Sequence, residues 1–535
     1  MSSGIHHIEK SPASIEDTAK NDDFMQAATE AATTEHTMTV REAMQRYPKA
    51  ILYSVGLSLA VVMDGYDMSL MQNFFSVVQF RHKYGHSLTN GDYQLSSTWQ
   101  SVLSGISSVG AFFGLFLAGQ LVEYFGFRRT MQVALVFISM AIFIVFFAQN
   151  LAMLAAGQLI CGLPWGMFQG MASVYSADVA PLSLRSLLTS YINLCWAFGG
   201  FVSVGVLTAC LQRTDEWAYR IPFAVQWIWI LPIAAIVYFA PESPWWLLRQ
   251  NRPDDARKTL RRLASSKVSD KEVESSLKLI QLTNEHERLL QAGTGYMSLF
   301  KGTNLRRTEI ATITWVCQVT CGTWFASQIT YFLQQGGLDE QDSFSFGLGM
   351  TALNCLGTII SWFVAIRLGR RKLYLLGLLG MLLSEVIVGC FGIPNVAGLG
   401  LVWASGAVLI ANNLIYYLTI GPVCFTIISE IPSARLRNRT ITFARACYLA
   451  AAVGAHFLQA ALVNPTAWNL KGRGAFVWAG FCLVSLVWAF FRLPETKDRL
   501  AAELDILFEK RTRTRKFKTA TVDLRQLLAT KTEEN

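Results

Sequence analysis

Two aspartates, Asp64 and Asp67, lie three residues apart inside an otherwise apolar stretch, VGLSLAVVMDGYDMSLM. At that spacing they share one face of a helix. A charge at the centre of a bilayer costs about 2.5 to 3.5 kcal/mol on insertion scales, so such residues normally line a pathway instead of facing lipid. A third charge of this kind is Arg445, in the apolar run TFARACYLAA. We expect Arg445 to face the same pathway and to pair electrostatically with Asp67 or Asp64. Glu385 is also buried by hydropathy, and the sequence assigns it no role.

The elements that must position these charges are membrane spans. The 535 residues are 52% hydrophobic and 16% charged, against about 25% charged in a typical soluble domain. Apolar runs of about 20 residues, each able to cross roughly 30 Å of hydrocarbon, recur about twelve times. Their cores begin near Ile51, Val102, Met131, Leu151, Leu187, Ile221, Ile310, Phe346, Tyr374, Leu399, Thr440 and Phe476. The predicted fold class is an all-α membrane protein, which excludes a soluble enzyme; no catalytic residues and no cofactor are expected, and no nucleotide loop or metal cluster points to primary pumping. Asp64 and Asp67 fall in the first span, Glu385 in the ninth and Arg445 in the eleventh.

The chain repeats itself. Gly119 to Arg129 reads GQLVEYFGFRR, Asp178 is followed by Arg185, and PESPWW stands at 241 to 246. In the second half LGRRK stands at 368 to 372, Glu430 is followed by Arg437, and PETK stands at 494 to 497. Two pseudo-symmetric six-helix bundles are implied, and such halves can rock about a central site. The boundaries are a disordered tail at 1–48, a first bundle at 49–240, a linker at 241–308, a second bundle at 309–493 and a basic tail at 494–535.

Arg128, Arg129, Arg185, Arg367, Arg370, Arg371, Lys372, Arg435, Arg437 and Arg439 fall in loops on one side, together with the long linker and the tail. By the positive-inside rule that side is cytosolic, with both termini inside. No signal peptide is read, because 1–48 lack an apolar core. The linker carries a capping-box pattern at Ser269 and Glu272, followed by Val273, Leu277 and Ile280 at helical spacing, which predicts short amphipathic helices under the cytosolic mouth. The formal charge of +9 resides in the cytosolic loops and tail. Nucleic acid is excluded by the architecture, and the run from Lys510 to Lys518 is suited to anionic inner-leaflet lipid. The ten cysteines are scattered through apolar segments, unlike a disulfide framework or a zinc site.

MDGYD at 63 to 67, CGLPWG at 161 to 166, PESPWWLL at 241 to 248, Gln318 with Cys321 and Gly322, and PETKDR running on to ELDILF at 494 to 508 stand in order along the chain. With these motifs the chain resembles the sugar porters of the major facilitator superfamily, and more narrowly the fungal maltose and α-glucoside permeases. The resemblance implies import of a disaccharide or related glucoside (maltose-like, cellobiose or lactose) across the plasma membrane. It makes Asp67 the coupling-proton acid: carried between an acidic outside and a neutral inside, a carboxylate loads and releases a proton. In many relatives a fourth-helix arginine neighbours that acid. Here the position is Gln158, which leaves Arg445 to supply the cation.

For the sugar, the resemblance implies Asn193, Gln318 and Asn354 as amides that donate and accept towards hydroxyls, with Trp324, Tyr331, Phe425 and Tyr448 as aromatic surface and Gln158 nearby. Val319 and Trp324 replace family amides, which favours a substrate larger than a simple hexose. Glu123 with Arg128 and Arg129, Asp178 with Arg185, and Glu430 with Arg437 resemble the family's cytosolic clasp, which also takes in Glu242, Arg370, Arg371 and Glu495. Ile366 stands where that clasp usually has an acid. A second function class stays open at this point: a transceptor that reports the sugar to a cytosolic partner.

Overall fold

The structure is a computed structural model that describes residues 37–87, 93–291, 295–393, 398–433, 436–497, 499 and 501–520, with isolated positions between 27 and 34. The spans are α1 Pro48–Phe74, α2 Ser97–Phe125, α3 Phe127–Phe146, α4 Leu151–Val179, α5 Leu182–Cys210 and α6 Trp217–Phe239 in the first half. The second half holds α7 Gly302–Thr320, α8 Glu340–Arg367, α9 Arg370–Phe391, α10 Leu399–Leu418, α11 Arg437–Val463 and α12 Ala475–Arg492. Their ends follow local chemistry. Pro48 opens α1 where its missing N–H costs nothing. Side chains of Ser96, Asn150 and Asp339 accept from backbone N–H groups in the first turns of α2, α4 and α8.

Packing repeats between the halves. In the first, α1 packs on α5, α2 on α4 and α3 on α6; in the second, α7 packs on α11, α8 on α10 and α9 on α12. The halves meet where α2 packs on α11 and α5 on α8. Large apolar side chains on the outer helices point away from the protein, among them Met140 of α3, Leu231 of α6, Leu383 of α9 and Val484 of α12. A belt of this extent is what lipid requires.

Among the described residues, eleven helices are long and apolar enough to cross a membrane. The twelfth expected span is α7, and it differs for two reasons. Its lower turns carry Arg306, Arg307 and Glu309, and the helix breaks at Cys321 and Gly322 before resuming as Thr323–Ser327 and Ile329–Gln335. A second break, at Thr419, separates α10 from Ile420–Glu430.

The linker forms the helices Pro244–Arg249, Pro253–Leu263 and Asp270–Gln291. The capping box is present: the Ser269 N–H donates to Glu272 at 2.7 Å and the Glu272 N–H to Ser269 Oγ at 3.2 Å, with Val273 and Leu277 buried below. Most of the tail expected at 1–48 lies outside the described residues. Its last part differs from the disorder expected there: Val40–Arg46 is a helix capped by Thr39, because Met38 and Ala43 find an apolar seat against Ala180, Leu184 and Leu188. Arg46 then bonds Glu272 at 2.9 Å.

Candidate functional site

A central cavity of about 180 Å³ lies between the halves. Asp64, Asp67, Asn193, Gln318, Trp324, Asn354, Arg445 and Tyr448 all line it. The first span thus delivers both acids to the pathway, but to different partners. Asp64 Oδ2 accepts from Gln169 Nε2 at 2.8 Å and from Trp196 Nε1 at 2.7 Å. Asp67 Oδ1 accepts from Gln226 Nε2 at 2.7 Å and from Gln158 Nε2 at 3.4 Å.

Arg445 is buried inside the protein and does not reach the surface. Its guanidinium donates to Gln169 Oε1 at 2.5 Å and lies over the rings of Tyr448, Trp315 and Trp196 at 4.4, 4.6 and 5.3 Å. Gln169 therefore relays between cation and acid, and its two bonds fix which way its amide points. The expected pairing of Arg445 is with Asp64, through this amide. A buried guanidinium over aromatic faces keeps its charge stabilised without a direct carboxylate contact.

The amides expected to hold a sugar, Asn193, Gln318 and Asn354, all line the cavity. Tyr416 donates to Gln318 Oε1 at 2.9 Å, which aligns the other end of that amide. Gln318 Nε2, Asn193 Nδ2 and Asn354 Oδ1 are buried and have no hydrogen-bond partner among the described residues. Two donors and one acceptor around the cavity, unpaired and expensive to leave so, match the mixed donor and acceptor character of hydroxyl groups.

Three residues named from the sequence do not line the cavity. Gln158 is buried behind Asp67 as its hydrogen-bond partner. Phe425 backs the aromatic box, 5.1 Å from the Trp315 ring and 6.1 Å from that of Trp196. Tyr331 sits above the chamber, where Gln100 of α2 donates to its hydroxyl at 3.2 Å. Sequence reasoning missed Gln169, Gln226 and Trp196. The available signal was glutamine in an apolar run: Gln169 follows Gln158 in α4, and Gln226 stands alone in α6.

The sequence profile described as "Sugar (and other) transporter" matches residues 54–508. The chain belongs to that family. A maltose permease of Saccharomyces cerevisiae is 38% identical over 532 residues, covering 97% of this chain and 86% of that one. A general alpha-glucoside permease of the same yeast is 38% identical over 501 residues, covering 93% and 81%. The solved structures of similar fold include the proton:xylose symporter XylE bound to 6-bromo-6-deoxy-D-glucose, with a TM-score of 0.68, 18% identity and coverage of 86% of this chain and 99% of that one. A partially occluded inward open conformation of XylE from E. coli gives 0.68, 16%, 85% and 100%.

In this sugar transporter family member the face that carries the linker and the face opposite it are built differently. At the opposite face the halves are bonded to each other. Gln334 Nε2 donates to the Ser76 carbonyl at 3.0 Å, Asn464 Nδ2 to the Leu95 carbonyl at 2.9 Å, and the Val78 N–H to Glu340 at 3.3 Å. At the linker face the described bonds of Glu242, Glu430 and Glu495 lie within their own halves. Glu242 accepts from the N–H groups of Phe127, Arg128 and Ser243 at 2.7, 3.2 and 3.3 Å, capping α3 beside Gly126, whose φ of +84° admits no ordinary side chain. Burial pushes the Glu242 carboxyl above its ordinary value, and those three N–H groups pull it back.

Ser243 donates to Asp178 at 2.6 Å, and the backbone carbonyl of Glu123 accepts from Trp246 Nε1 at 3.0 Å. In the second half Arg370 bonds Glu430 at 3.1 Å, Arg371 donates to the Phe490 carbonyl at 2.7 Å, and Glu495 accepts from the Lys497 N–H at 3.2 Å. Arg128 lies over Tyr238. The side chain of Arg185, and Arg435 altogether, lie outside the described residues; Arg129 and Arg437 stand at the starts of α3 and α11.

Proposed function

We propose that this chain imports an α-glucoside disaccharide of maltose type together with a proton, by alternating access. The observation that carries the reading is one chamber lined by two intramembrane acids, a relayed guanidinium and three amides with unpaired polar atoms. Amides and rings recognise the sugar. Asp67, ringed by the amides of Gln226 and Gln158, is the proton carrier, and Asp64 senses Arg445 through Gln169. The names of the yeast relatives, a maltose permease and a general alpha-glucoside permease, support the substrate class.

The linker face is cytosolic on this reading, with both termini inside and the plasma membrane as the site of action. The bonds at the opposite face then close the chamber to the outside, and the clasp residues wait in their own halves to join when it opens there. Coupling has useful magnitude. One charge crossing about 100 mV supplies roughly 2.3 kcal/mol, enough for an accumulation on the order of 40-fold.

The test is uptake of a labelled disaccharide panel into cells lacking their own permeases, at acidic and neutral external pH. Saturable uptake of one α-glucoside that rises in acid is expected. A correctly localised protein that takes up none of them, and instead triggers sugar-dependent signalling, would make it a sensor.

Anionic lipid is the second partner. The segment after the helix Ala501–Glu509 folds back through buried Phe517 and Thr514, with Arg306 donating to Thr514 Oγ1 at 2.9 Å. Lys510, Arg511, Arg513, Arg515, Lys516 and Lys518 stay exposed, and Arg515 lies over the outward-facing rings of Phe490 and Phe491. Each such base is worth roughly 1 kcal/mol at an anionic surface. Binding of the detergent-solubilised protein to phosphatidylserine vesicles should weaken in Arg515→Ala with Lys516→Ala; unchanged binding would remove the tail from this role.

A further inference from the structure

The role of Glu385 is written in what surrounds it. It sits in α9 at 0% exposure, with both carboxylate oxygens lacking a hydrogen-bond partner among the described residues. Asn412 of α10 stands beside it, equally buried, its own amide oxygen and nitrogen unpaired at ordinary geometry. The carboxylate is lodged at the break in α7. Gly322 has φ +87°, and the position that a Cβ would take there coincides with Glu385 Oε1. A glycine is needed at that position twice over, for its backbone and for the space.

The break matters because of what lies on each side of it. Gln318 stands one turn before Gly322 and Trp324 two residues after, and both line the cavity. Further along the same segment, Tyr331 accepts from Gln100 and Gln334 donates to the Ser76 carbonyl. These are two of the bonds that join the halves at the face opposite the linker. Whatever fixes the elbow therefore aims both the sugar contacts and the closure.

We propose that Glu385 is the latch of the α7 elbow, a positioning residue that seats its carboxyl group against Gly322 and so sets the angle of the segment from Thr323 to Gln335. An ionised carboxylate buried without a cation is costly. The latch accordingly acts through shape, its carboxyl group filling the space at Gly322 beside Asn412, and the amide isostere can replace it. The inference rests on the transporter reading only for its consequence on sugar uptake; the seat itself does not depend on any substrate.

The test is a double-mutant cycle on the purified full chain in detergent, read as Tm, together with uptake kinetics. Gly322→Ala should lower Tm because its methyl group collides with the carboxylate. Gly322→Ala combined with Glu385→Ala should melt higher than Gly322→Ala alone, because the methyl group enters the vacated space. A double variant that melts at or below Gly322→Ala would overturn the latch.

In uptake, Glu385→Ala should raise KM, because the freed elbow no longer aims Gln318 and Trp324 at the cavity, while Glu385→Gln keeps the wild-type KM and pH profile. A flattened pH profile in Glu385→Gln would show a titrating carboxylate, and that too would overturn the proposal. Because Tm needs no sugar, failure of the cycle is distinct from failure to find a transported substrate.

Discussion

The two halves share their helix pairing but divide the work. The first half has unbroken spans and holds its intramembrane acids on amides from its own helices, Gln158, Gln169 and Gln226. The second half breaks two of its spans, α7 at Gly322 and α10 at Thr419. It supplies the buried cation Arg445 and two of the three amides whose unpaired polar atoms surround the cavity, Gln318 and Asn354. A continuous helix fixes a carboxylate in place, whereas a broken one can swing side chains relative to each other. On the proposed function, the difference teaches that the proton-carrying acids belong to the rigid half, while most of the sugar-facing amides and both span breaks belong to the jointed one.

The hardest blow to this division is Asp67→Asn. Accumulation should fall from on the order of 40-fold to about one, with downhill entry retained, measured as the internal to external ratio of labelled sugar. Accumulation that survived would place the coupling acid elsewhere. Next in size is Arg445→Ala, which removes one charge-assisted hydrogen bond. Uptake should fall by on the order of tenfold or more and lose its pH response; normal pH-dependent uptake would refute the pairing through Gln169.

Gln318→Ala and Tyr416→Phe sharpen the sugar side. Each removes or misaligns one neutral hydrogen bond, so KM should rise roughly threefold to tenfold while the coupling ratio holds. A changed coupling ratio would mean that the two halves do not divide the work.

Two smaller effects concern the linker face. Glu242 caps α3 through three N–H groups, so Glu242→Ala should cost about 1 kcal/mol or somewhat more, seen as a lowered Tm and a larger loss than Glu495→Ala gives in the second half. The Arg46 and Glu272 contact is worth under about 1 kcal/mol. Glu272 is held below its ordinary value first by the Ser269 backbone N–H and then by Arg46. Its contribution is therefore present at neutral pH and disappears as the pH falls past the ordinary glutamate range and through that depressed value. Glu272→Gln should lower Tm slightly at pH 7, with the difference shrinking as the pH is lowered into the acid range.

Much of this arrangement was legible in the residues. Span positions follow from apolar length, the repeat follows from paired motifs, and Asp64, Asp67 and Arg445 stand out because charge in hydrocarbon is expensive. The partners of these charges were harder to read, because which face of α4 or α6 turns inward is decided by packing between helices. Gln169 and Gln226 therefore looked like any polar residue in a span, and Phe425 looked like lining when it supports the ring beneath. The break in α7 was signalled only by Cys321 and Gly322, and its latch, Glu385, stands 63 residues further along the sequence on another helix.

The central claim is that sugar and proton move together through one chamber. The most direct measurement is proton uptake into proteoliposomes of the purified protein when maltose is added with no imposed gradient, read from an external pH electrode. Alkalinisation that saturates with maltose and vanishes in Asp67→Asn is the predicted result. Saturable maltose entry with no accompanying proton movement would contradict the account.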